Sequence, residues 1–567
     1  MKKPRNIVYG VDEALPRGVL LLSGVQHAGL VAIFLLLPVI AGRQAGLSAE
    51  KIIDVLSLSM LVMAAGPILH VLRCGPVGSG FLCPPIFAAS YLPASLLALE
   101  AGGLPLMFGM TVFAGAVEIA MSRLLRPLRP FLPPEITGFV VAMIGLTIGL
   151  LGFRNVLGIG QTEAPGALSH AVAAATLALM VGLNVWGAGT SKLFCALIGM
   201  IAGYLLAIVA GVLPAADLER LNAAPIIHLP NVDHLGWSFD TDLIVPFVVA
   251  AVAASLRAIG DLTICQKTND ADWVRPDFAS ISGGAMANGI GTMLSGLFGS
   301  VGLNTSTSNV GLAGATGITS RRVAFVIGGI YLALAFLPKA TTVFAIMPAP
   351  VVGATLLFVS ALVFMNGLII ITARMLDSRR IFVIGLSFMV AMAADVFQPF
   401  FSQLPASVRV FTSSSIVLGT LTALLLNLVF RLGVRRTQTL EVDPLAVDAA
   451  RIEEFMQTHG AAWGARRDVI ERARFNLMQS IELLADSGVT QKTMTVAVSF
   501  DEFNLDVRVS YDGVPLELPD KRPTNDEIIA SYEGQYRLAG YMLRNLADRV
   551  QVSNRTGRTT VAFHFVH

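Results

Sequence analysis

The chain has 567 residues, of which 54% are hydrophobic and 14% are charged, whereas about 25% of the residues in an ordinary soluble domain are charged. A mean hydropathy of +0.70 excludes an ordinary soluble enzyme. Apolar runs of about 20 residues recur along most of the chain, which is the pattern of membrane-spanning helices. Acidic residues outnumber basic ones in residues 441–567, while residues 1–440 are net basic. These statistics predict a polytopic membrane protein with an acidic soluble tail.

Fourteen apolar segments follow one another along the membrane part of the chain. The first begins near Val19, is as long as a full span and has no small-residue cleavage site after it, so we interpret it as a retained helix rather than a signal peptide. The predicted spans are residues 18–41, 52–72, 77–97, 101–122, 131–153, 168–187, 191–213, 242–265, 279–300, 304–317, 322–340, 343–371, 380–399 and 406–431.

Basic residues flank this set of spans on both sides. Before the first span stand Lys2, Lys3 and Arg5, and after the last stand Arg431, Arg435 and Arg436. Because positive charges collect in cytoplasmic segments, both termini are predicted to be cytoplasmic, in a plasma (inner) membrane. The sequence therefore divides into a transmembrane domain, residues 1–436, and a cytoplasmic domain, residues 437–567.

Two segments, residues 77–85 and 304–317, are interrupted by glycine, proline and polar residues. Each is the third span of its set of seven. Paired interrupted segments in the two halves of a transporter indicate a binding site near the middle of the membrane, because unwound backbone is tolerated only where it lines a cavity. Two loops with accidental symmetry are the alternative. The pattern favours a carrier built as a 7+7 inverted repeat.

Ionisable residues deep inside predicted spans are costly and therefore usually functional. They are His27, Glu118, Arg257, Asp261 and Asp395. Arg257 and Asp261 are four residues apart and share one helix face, so they either form a structural salt bridge or face the substrate. A buried histidine is more often a packing residue than a ligand. The hydroxyl-rich and amide-rich residues 304–321 favour a short strand that leads into a helix, whose N-terminal N–H groups suit a polar ligand; a solvated loop is the alternative.

Several of these residues match motifs of a known transporter family. In chain order the matching elements are Gln26-His27, Leu132-Pro133-Pro134-Glu135-Ile136-Thr137-Gly138, Ile259-Gly260-Asp261, Ser308-Asn309-Val310-Gly311 with Thr316 and Ser320-Arg321, and Met347-Pro348-Ala349-Pro350-Val351. Over residues 15–435 the chain resembles the nucleobase–ascorbate transporter family. The resemblance implies an all-α membrane protein of fourteen spans in two inverted repeats. A core domain (spans 1–4 and 8–11) would move against a gate domain (spans 5–7 and 12–14), with proton- or sodium-coupled uptake of nucleobases or ascorbate, commonly by homodimers.

The predicted site residues follow from these motifs and from the interrupted segments. Substrate contacts are expected from Phe81, Leu82, Cys83, Arg257, Asp261, Ser308 and Asn309, with Phe81 offering a stacking face. Ion coupling or helix positioning is expected from Gln26, His27, Asp261, Gly311 and Thr316.

Two positions depart from the family pattern, because Arg257 replaces a glutamate and Ser308 replaces a glutamine or glutamate. A guanidinium only donates hydrogen bonds, whereas a carboxylate accepts them. The expected substrate is therefore an oxidised or anionic purine such as urate or xanthine, with another organic anion as the alternative. Asp261 is the nearest remaining candidate for a proton or sodium site. If the charge of Arg257 substitutes for the coupling cation, the protein is a uniporter or an exchanger.

The cytoplasmic tail has the statistics of a soluble α+β domain. Its element order, with Leu546-Ala547-Asp548-Arg549-Val550 and Thr556-Gly557-Arg558-Thr559-Thr560 near its end, resembles the histidine-kinase-like ATPase fold in its anti-sigma-factor branch. Ser480 stands where that family has a magnesium-binding asparagine, and Tyr511-Asp512-Gly513 replaces its adenine-reading Asp-x-Gly motif. These losses favour a degenerate regulatory or partner-docking module over an ATPase or kinase.

No cofactor, metal or nucleic acid is implied, and no enzyme activity is expected. The four cysteines have no CxxC spacing, so they are interpreted as reduced structural residues. The expected partners are a nucleobase or organic anion, the lipid bilayer, a second copy of the chain, and a cytoplasmic regulatory protein at the tail. A transporter-derived sensor that signals through the tail is the alternative function.

Overall fold

The computed structural model describes residues 2–73, 75–128, 134–159, 165–273, 276–372, 376, 378–404, 412, 414–430, 436–444, 448–463, 467–486, 492–500, 504–513, 518–519, 521–523, 532–555 and 557–566. The chain separates into two compact units, Met1–Asn427 and Leu428–His567. Some residues used in the sequence analysis lie outside the described ones: Cys74, Leu132, Pro133, Arg431, Arg435 and Thr556.

In the first half of the membrane unit, the described part of the chain forms eight helices. They are α1 (Arg17–Ala32), α2 (Leu36–Gln44), α3 (Ala49–Val71), α4 (Leu92–Leu128), α5 (Pro134–Leu157), α6 (Ala167–Trp186), α7 (Thr190–Leu193) and α8 (Cys195–Val209). A 3₁₀ turn at Ile33–Leu35 joins α1 to α2, and the two form one apolar stretch. The predicted span 77–97 is helical only from Leu92 onward. It meets the next predicted span within α4, at a break where Gly103 has a φ of +72°, a value that glycine adopts without strain.

Ten helices lie in the described residues of the second half. They are α9 (Ala215–Ala223), α10 (Ile244–Asn269), α11 (Phe278–Leu297), α12 (Thr307–Thr316), α13 (Arg322–Ala335), α14 (Pro338–Ala345), α15 (Ala349–Thr372), α16 (Ser378–Val396), α17 (Gln398–Ser402) and α18 (Ser415–Phe430). The predicted span 322–340 instead ends at Ala335, and α14 leaves it at an angle of 84°. Pro338 explains the break, because proline disfavours helical geometry in the residue before it and donates no backbone hydrogen bond.

Seven helical stretches among the described residues are long and apolar enough to cross a bilayer, or eight if the bent α13–α14 pair forms one span. The helices α8 and α18 are apolar but shorter. Large apolar side chains are exposed along α6, α8 and α16, where Val185, Ile201 and Phe382 are examples. Such a surface suits lipid rather than water. The count of fourteen spans stays a prediction.

The long helices of the membrane unit pack in pairs: α4 against α11, α3 against α13, and α5 against α15. Glycines bring α5 and α15 close together. A Cβ atom on Gly145 would lie 2.5 Å from the backbone nitrogen of Phe364, and one on Gly367 would lie 2.4 Å from that of Ala142. Close backbone approach at small residues is a common basis of helix association in membranes.

The second unit is a five-stranded antiparallel sheet with helices on one face. Its strands are β3 (Arg436–Val442), β4 (Met494–Phe500), β5 (Asn504–Asp512), β6 (Arg549–Arg555) and β7 (Arg558–Val566), in the order β3-β4-β5-β7-β6. Its helices are α19 (Ala449–Ala462), α20 (Arg467–Asp486) and α21 (Tyr532–Leu546). Alternate strand residues such as Val507 and Phe563 form a core with Leu477 and Leu543 of the helices. This burial on one face follows from the period of two in a strand.

Candidate functional site

The two interrupted segments meet in the interior of the membrane unit. Strand β1 (Pro85–Phe87) pairs antiparallel with β2 (Leu303–Thr305), so that Ile86 lies opposite Asn304. All six residues are buried. Helix α12 follows β2 directly, and the Oγ atom of Ser306 caps it by accepting from the backbone N–H of Asn309 at 3.3 Å. The polar stretch is thus a strand leading into a helix, as its composition predicts.

Asp261 of α10 contacts the end of β2 and the start of α12. Its Oδ2 accepts a hydrogen bond from the hydroxyl of Thr305 at 2.6 Å, and its Oδ1 accepts one from the hydroxyl of Thr307 at 2.7 Å. The carboxylate is buried. Because each oxygen has a hydroxyl donor, Asp261 ties α10 to the end of β2 and to the first turn of α12.

Arg257 lies one helical turn before Asp261, and its side chain is 28% exposed. Its Nε is 3.8 Å from Asp261 Oδ2, and its Nη2 is 3.4 Å from the hydroxyl of Thr307. The first distance is that of an ion pair without a hydrogen bond. A guanidinium has five N–H donors, so this arginine neighbours Asp261 and still has donors to offer a ligand.

The helix surfaces beside Arg257 are open. Gly260 on α10 and Gly311 on α12 are exposed, and a Cβ atom on either would meet no atom within 4 Å. Ser308, in the first turn of α12, is also exposed. The two helices contact each other. A guanidinium and the N-terminal turn of a helix are both donors and both favour negative charge, so this region suits an anionic or acceptor-rich ligand.

His27 connects α1 to α12. Its Nδ1 lies 2.8 Å from Oδ1 of Asn309, and the Asn309 amide nitrogen donates to Ser306 Oγ at 3.0 Å. Both His27 and Asn309 are fully buried. Because an amide oxygen only accepts, Nδ1 carries the hydrogen. The pair holds the first turn of α12 against α1, which is a helix-positioning role.

Other predicted coupling residues do not join this pair. Gln26 is half-buried on α1. The hydroxyl of Thr316 donates to Leu312 O at 2.8 Å within its own helix. Asp395 is exposed near the C-terminal end of α16, and its depth within a span stays a prediction.

Phe81, Leu82 and Cys83 are buried, each 3% exposed or less. Phe81 and Cys83 lie in an apolar cluster that also contains Cys265 and Val11 of the N-terminal segment. The ring of Phe81 is thus surrounded by apolar side chains in this structure. Direct contact of these three residues with a substrate stays a prediction.

The intramembrane carboxylate of Glu118 supports β2 from the other side. Its Oε2 accepts from the amide of Asn288 at 2.6 Å, and its Oε1 accepts from the hydroxyls of Thr292, at 3.0 Å, and Tyr91. Asn288 also donates to Leu303 O, and Thr292 accepts from Leu303 N. Glu118 therefore anchors α4 and α11 to β2. Glu118 is a candidate from the sequence alone, whereas Asn288 and Thr292 were missed, although their i, i+4 spacing in an apolar helix is a detectable signal.

Sequence reasoning also missed the N-terminal segment. Backbone N–H groups of Val8 and Tyr9 donate to Gly317 O, and that of Arg321 donates to Val11 O at 3.0 Å. Arg321 forms an ion pair with Asp12. These contacts bring the N-terminal residues to the end of α12.

The described cysteines Cys83, Cys195 and Cys265 are free and buried. Among the described residues, no group of three or more His, Cys, Asp or Glu side chains is placed to hold a metal ion. The carboxylates of Asp261 and Glu118 accept hydrogen bonds from hydroxyl and amide donors.

The long helices of this unit are apolar and pack in pairs. Its two interrupted segments pair as strands in the interior, beside the buried, hydrogen-bonded carboxylate of Asp261. This architecture is that of a membrane transport protein. The model of a family described as a permease family matches residues 18–400, so the chain belongs to that family and is an integral membrane protein. The match confirms the resemblance drawn from the motifs.

Curated relatives match about three quarters of the chain. A putative purine permease of Clostridium perfringens is 27% identical over 430 residues, which are 75% of this chain and 93% of the relative. The xanthine permease XanP of Escherichia coli is 26% identical over 440 residues, covering 75% and 94%. The uric acid permease PucJ of Bacillus subtilis is 25% identical over 438 residues, covering 74% and 95%.

Solved structures also align with the chain. The transmembrane domain of a cyanobacterial bicarbonate transporter aligns with 73% of this chain and 99% of its own, with a TM-score of 0.43 and 16% identity. The overall structure of SLC26A9 aligns with 80% of this chain and 76% of its own, with a TM-score of 0.47 and 12% identity.

Proposed function

We propose that this protein is a secondary active transporter of purine-type nucleobases that prefers an oxidised or anionic purine of the urate or xanthine kind. Family membership supports transport, and relatives named for purine, xanthine and uric acid support the substrate class. The observation that carries the anionic preference is the part-exposed Arg257 beside the open faces of α10 and α12.

In the proposed binding mode, Arg257 donates to the carbonyl or enolate oxygens of the purine, and the first turn of α12 at Ser308 donates to another oxygen. Asp261 holds α10 against Thr305 and Thr307, so the guanidinium starts from a fixed helix. His27 and Asn309 fix the same turn of α12 from the other side. The purine therefore meets an arranged set of donors, which lowers the entropic cost of binding.

The helix pairing supports a 7+7 inverted repeat. In that repeat α3 corresponds to α11, and the second half of α4 corresponds to α13. Under this correspondence, the counterpart of the observed pair α4–α11 is the pair α13–α3, which is also observed. The pair α5–α15 joins the fifth span to its own counterpart. We propose that the core elements around β1 and β2 move against the α5–α15 pair during alternating access.

Coupling to a proton or sodium gradient belongs to the proposal, with Asp261 as the candidate ion site. We also propose that both termini are cytoplasmic, that the protein forms a homodimer, and that the second unit binds a regulatory protein. The N-terminal Lys2 binds Asp270 just after α10, which places the N-terminus and that end of α10 on the same membrane side.

The first experiment measures the thermal stability of the detergent-solubilised chain with urate, xanthine, adenine, uracil, ascorbate or a simple dicarboxylate. A ligand that binds only the folded form raises the apparent stability by mass action. We expect stabilisation by urate or xanthine that disappears in Arg257→Gln. Lys267→Gln is the matched control, because it removes one exposed cation from the same helix, and it should retain the stabilisation.

Uptake into proteoliposomes tests transport and coupling separately. We expect urate or xanthine uptake to depend on an imposed proton or sodium gradient and to lose that dependence in Asp261→Asn. Stabilisation by uracil or adenine, unaffected by Arg257→Gln, would refute the anionic preference while leaving nucleobase transport intact. Stabilisation by the dicarboxylate alone would favour a carrier of other organic anions.

A second candidate function is a sensor that binds the nucleobase and signals through the tail. The observation that favours it is the separate compact unit Leu428–His567, which the family match does not reach. Binding without uptake, together with a signalling partner held by this unit, would support the sensor. Unchanged uptake after deletion of residues 440–567 would contradict it.

A further inference from the structure

The sheet of the second unit has one face that its three described helices leave uncovered. Residues such as Val507, Val509 and Phe563 point into the core, so their strand neighbours point to the opposite face. Residues on this open face are small or polar: Thr437, Thr439, Thr495, Ala497, Ser510, Ser553, Thr560 and Ala562 are representative. A face without large apolar side chains is unsuited to an apolar partner.

Larger charged side chains stand at both ends of the open face, with Asp512 and Arg558 at one end and a second group at the opposite corner. In the ladder, Asp506, His564 and Arg549 form one row across β5, β7 and β6. The next row on this face consists of Arg508, Ala562 and Gln551. Ala562 has only a methyl group, so it leaves a depression among its long neighbours. A cavity of about 200 Å³ is found there, lined by side chains of both rows.

The electrostatics of this cavity favour an anion. Arg508 and Arg549 are exposed, and neither has an ion-pair partner among the residues that the structure describes. Oδ1 of Asp506 lies 2.6 Å from Nδ1 of His564, so this carboxylate of the lining already has a hydrogen-bond partner. Two arginines and one aspartate give a formal charge of +1, which becomes +2 when His564 is protonated.

We propose that this corner of the open face, formed by Arg508, Arg549 and His564 around Ala562, binds a phosphate group. The two guanidinium groups come from strands on opposite sides of β7, so they approach an anion from two directions. A phosphate has enough oxygens to receive both guanidinium groups and the imidazole, whereas one guanidinium already satisfies a carboxylate in bidentate fashion. A phosphomonoester carries between −1.5 and −2 charges near neutral pH, which matches this lining.

The volume restricts the ligand to the phosphate and a small group attached to it. Drug-sized ligands occupy pockets of about 300 to 1,000 Å³, and this cavity is smaller. A soluble phosphomonoester and the headgroup of an anionic phospholipid both present the required chemistry. The site lies on the sheet face opposite the helices and does not depend on the transport function proposed above.

The test titrates the full-length protein in zwitterionic nanodiscs with inorganic phosphate and then with glycerol 3-phosphate, followed by phosphorus NMR relaxation. We expect saturable binding at one site and at least a tenfold rise in Kd for Arg508→Gln. Arg451→Gln is the charge-matched control, because Arg451 is an exposed arginine on α19 of the same unit, and its Kd should be unchanged. Ala562→Leu fills the depression at constant charge and should also abolish binding.

Nanodiscs that contain phosphatidic acid distinguish the two ligand sources. If phosphatidic acid displaces inorganic phosphate, and Arg508→Gln removes this competition, the ligand is a lipid headgroup. If phosphate binding is unaffected by the lipid, the ligand is a soluble phosphomonoester. Equal weakening by Arg508→Gln and Arg451→Gln, or normal binding by Ala562→Leu, would overturn the proposal, because binding would then reflect general charge rather than this cavity.

Discussion

Replacing Gly302 with alanine perturbs the fit between the residue just before β2 and Tyr91, which ends the 3₁₀ turn that leads into α4. A Cβ atom on Gly302 would lie 2.4 Å from Cδ2 of Tyr91 and 2.6 Å from two other ring atoms. The shortest of these distances is 1.0 Å less than the 3.4 Å at which ordinary contact begins. The ring cannot easily retreat, because Tyr91 is fully buried and its hydroxyl donates to Glu118.

The cost has two sources. Inserting a methyl group into a packed interior costs about 1 to 3 kcal/mol. Any shift of Tyr91 that weakens its hydrogen bond to the buried Glu118 adds a cost of about 1 to 3 kcal/mol. We therefore expect Gly302→Ala to destabilise the membrane unit by roughly 2 to 6 kcal/mol. Because β2 continues to Thr305, which holds Asp261, we also expect slower substrate uptake.

The assay compares the apparent melting temperature of the detergent-solubilised variant with that of Gly329→Ala. Gly329 lies on α13, is exposed, and has no atom within 4 Å of its added Cβ. This control should be as stable as the parent or about 0.5 to 1 kcal/mol more stable, because alanine is favoured over glycine inside a helix. Equal melting temperatures for Gly302→Ala and Gly329→Ala would refute the packing argument.

Two further predictions concern other contacts of the membrane unit. Asn309→Ala leaves the buried Nδ1–H of His27 without an acceptor, so we expect a loss of about 1 to 3 kcal/mol in thermal denaturation and a smaller loss for Asn309→Asp, which keeps an acceptor. The pKa of Asp270 lies below its ordinary 3.8, mainly because its carboxylate accepts a hydrogen bond from the backbone N–H of Lys2. This contact therefore contributes to stability above pH 3.8, and the contribution is lost as the pH falls through the lower folded-state pKa. A spin label attached at Arg5→Cys should become mobile in that acidic range. If the label shows the same pH-dependent change in the Asp270→Asn variant, Asp270 is not the cause.

The architecture of the membrane unit is readable from the chain where the signal is local. Apolar runs and their interruptions predicted the helices and the two broken segments, because a bilayer demands long apolar stretches and tolerates unwound backbone only in protected places. The polar residues from Asn304 onward predicted a strand followed by a helix. The i, i+4 spacing placed Arg257 and Asp261 on one helix face. These inferences need only neighbouring residues.

Long-range pairing was beyond such reasoning. Nothing local shows that Asp261 receives its hydrogen bonds from Thr305 and Thr307, or that Glu118 contacts Asn288 across 170 positions. In a membrane interior a buried polar group must find a partner, but any element that packs nearby can supply it. The burial of Phe81 in an apolar cluster likewise depends on which helices surround it.

The amino-acid sequence by itself determined that this is a membrane protein, that two of its apolar segments are interrupted by glycine, proline and polar residues, and that Arg257 lies in an apolar stretch one helical turn before Asp261. Only the tertiary structure decided that the two interrupted segments pair as β1 and β2. It also decided that Asp261 accepts hydrogen bonds from two threonines while Arg257 remains part-exposed, and that the tail has a cavity beside Ala562. The physical reason is that hydropathy and helical spacing are local properties, whereas the partner of a buried charge is chosen by packing.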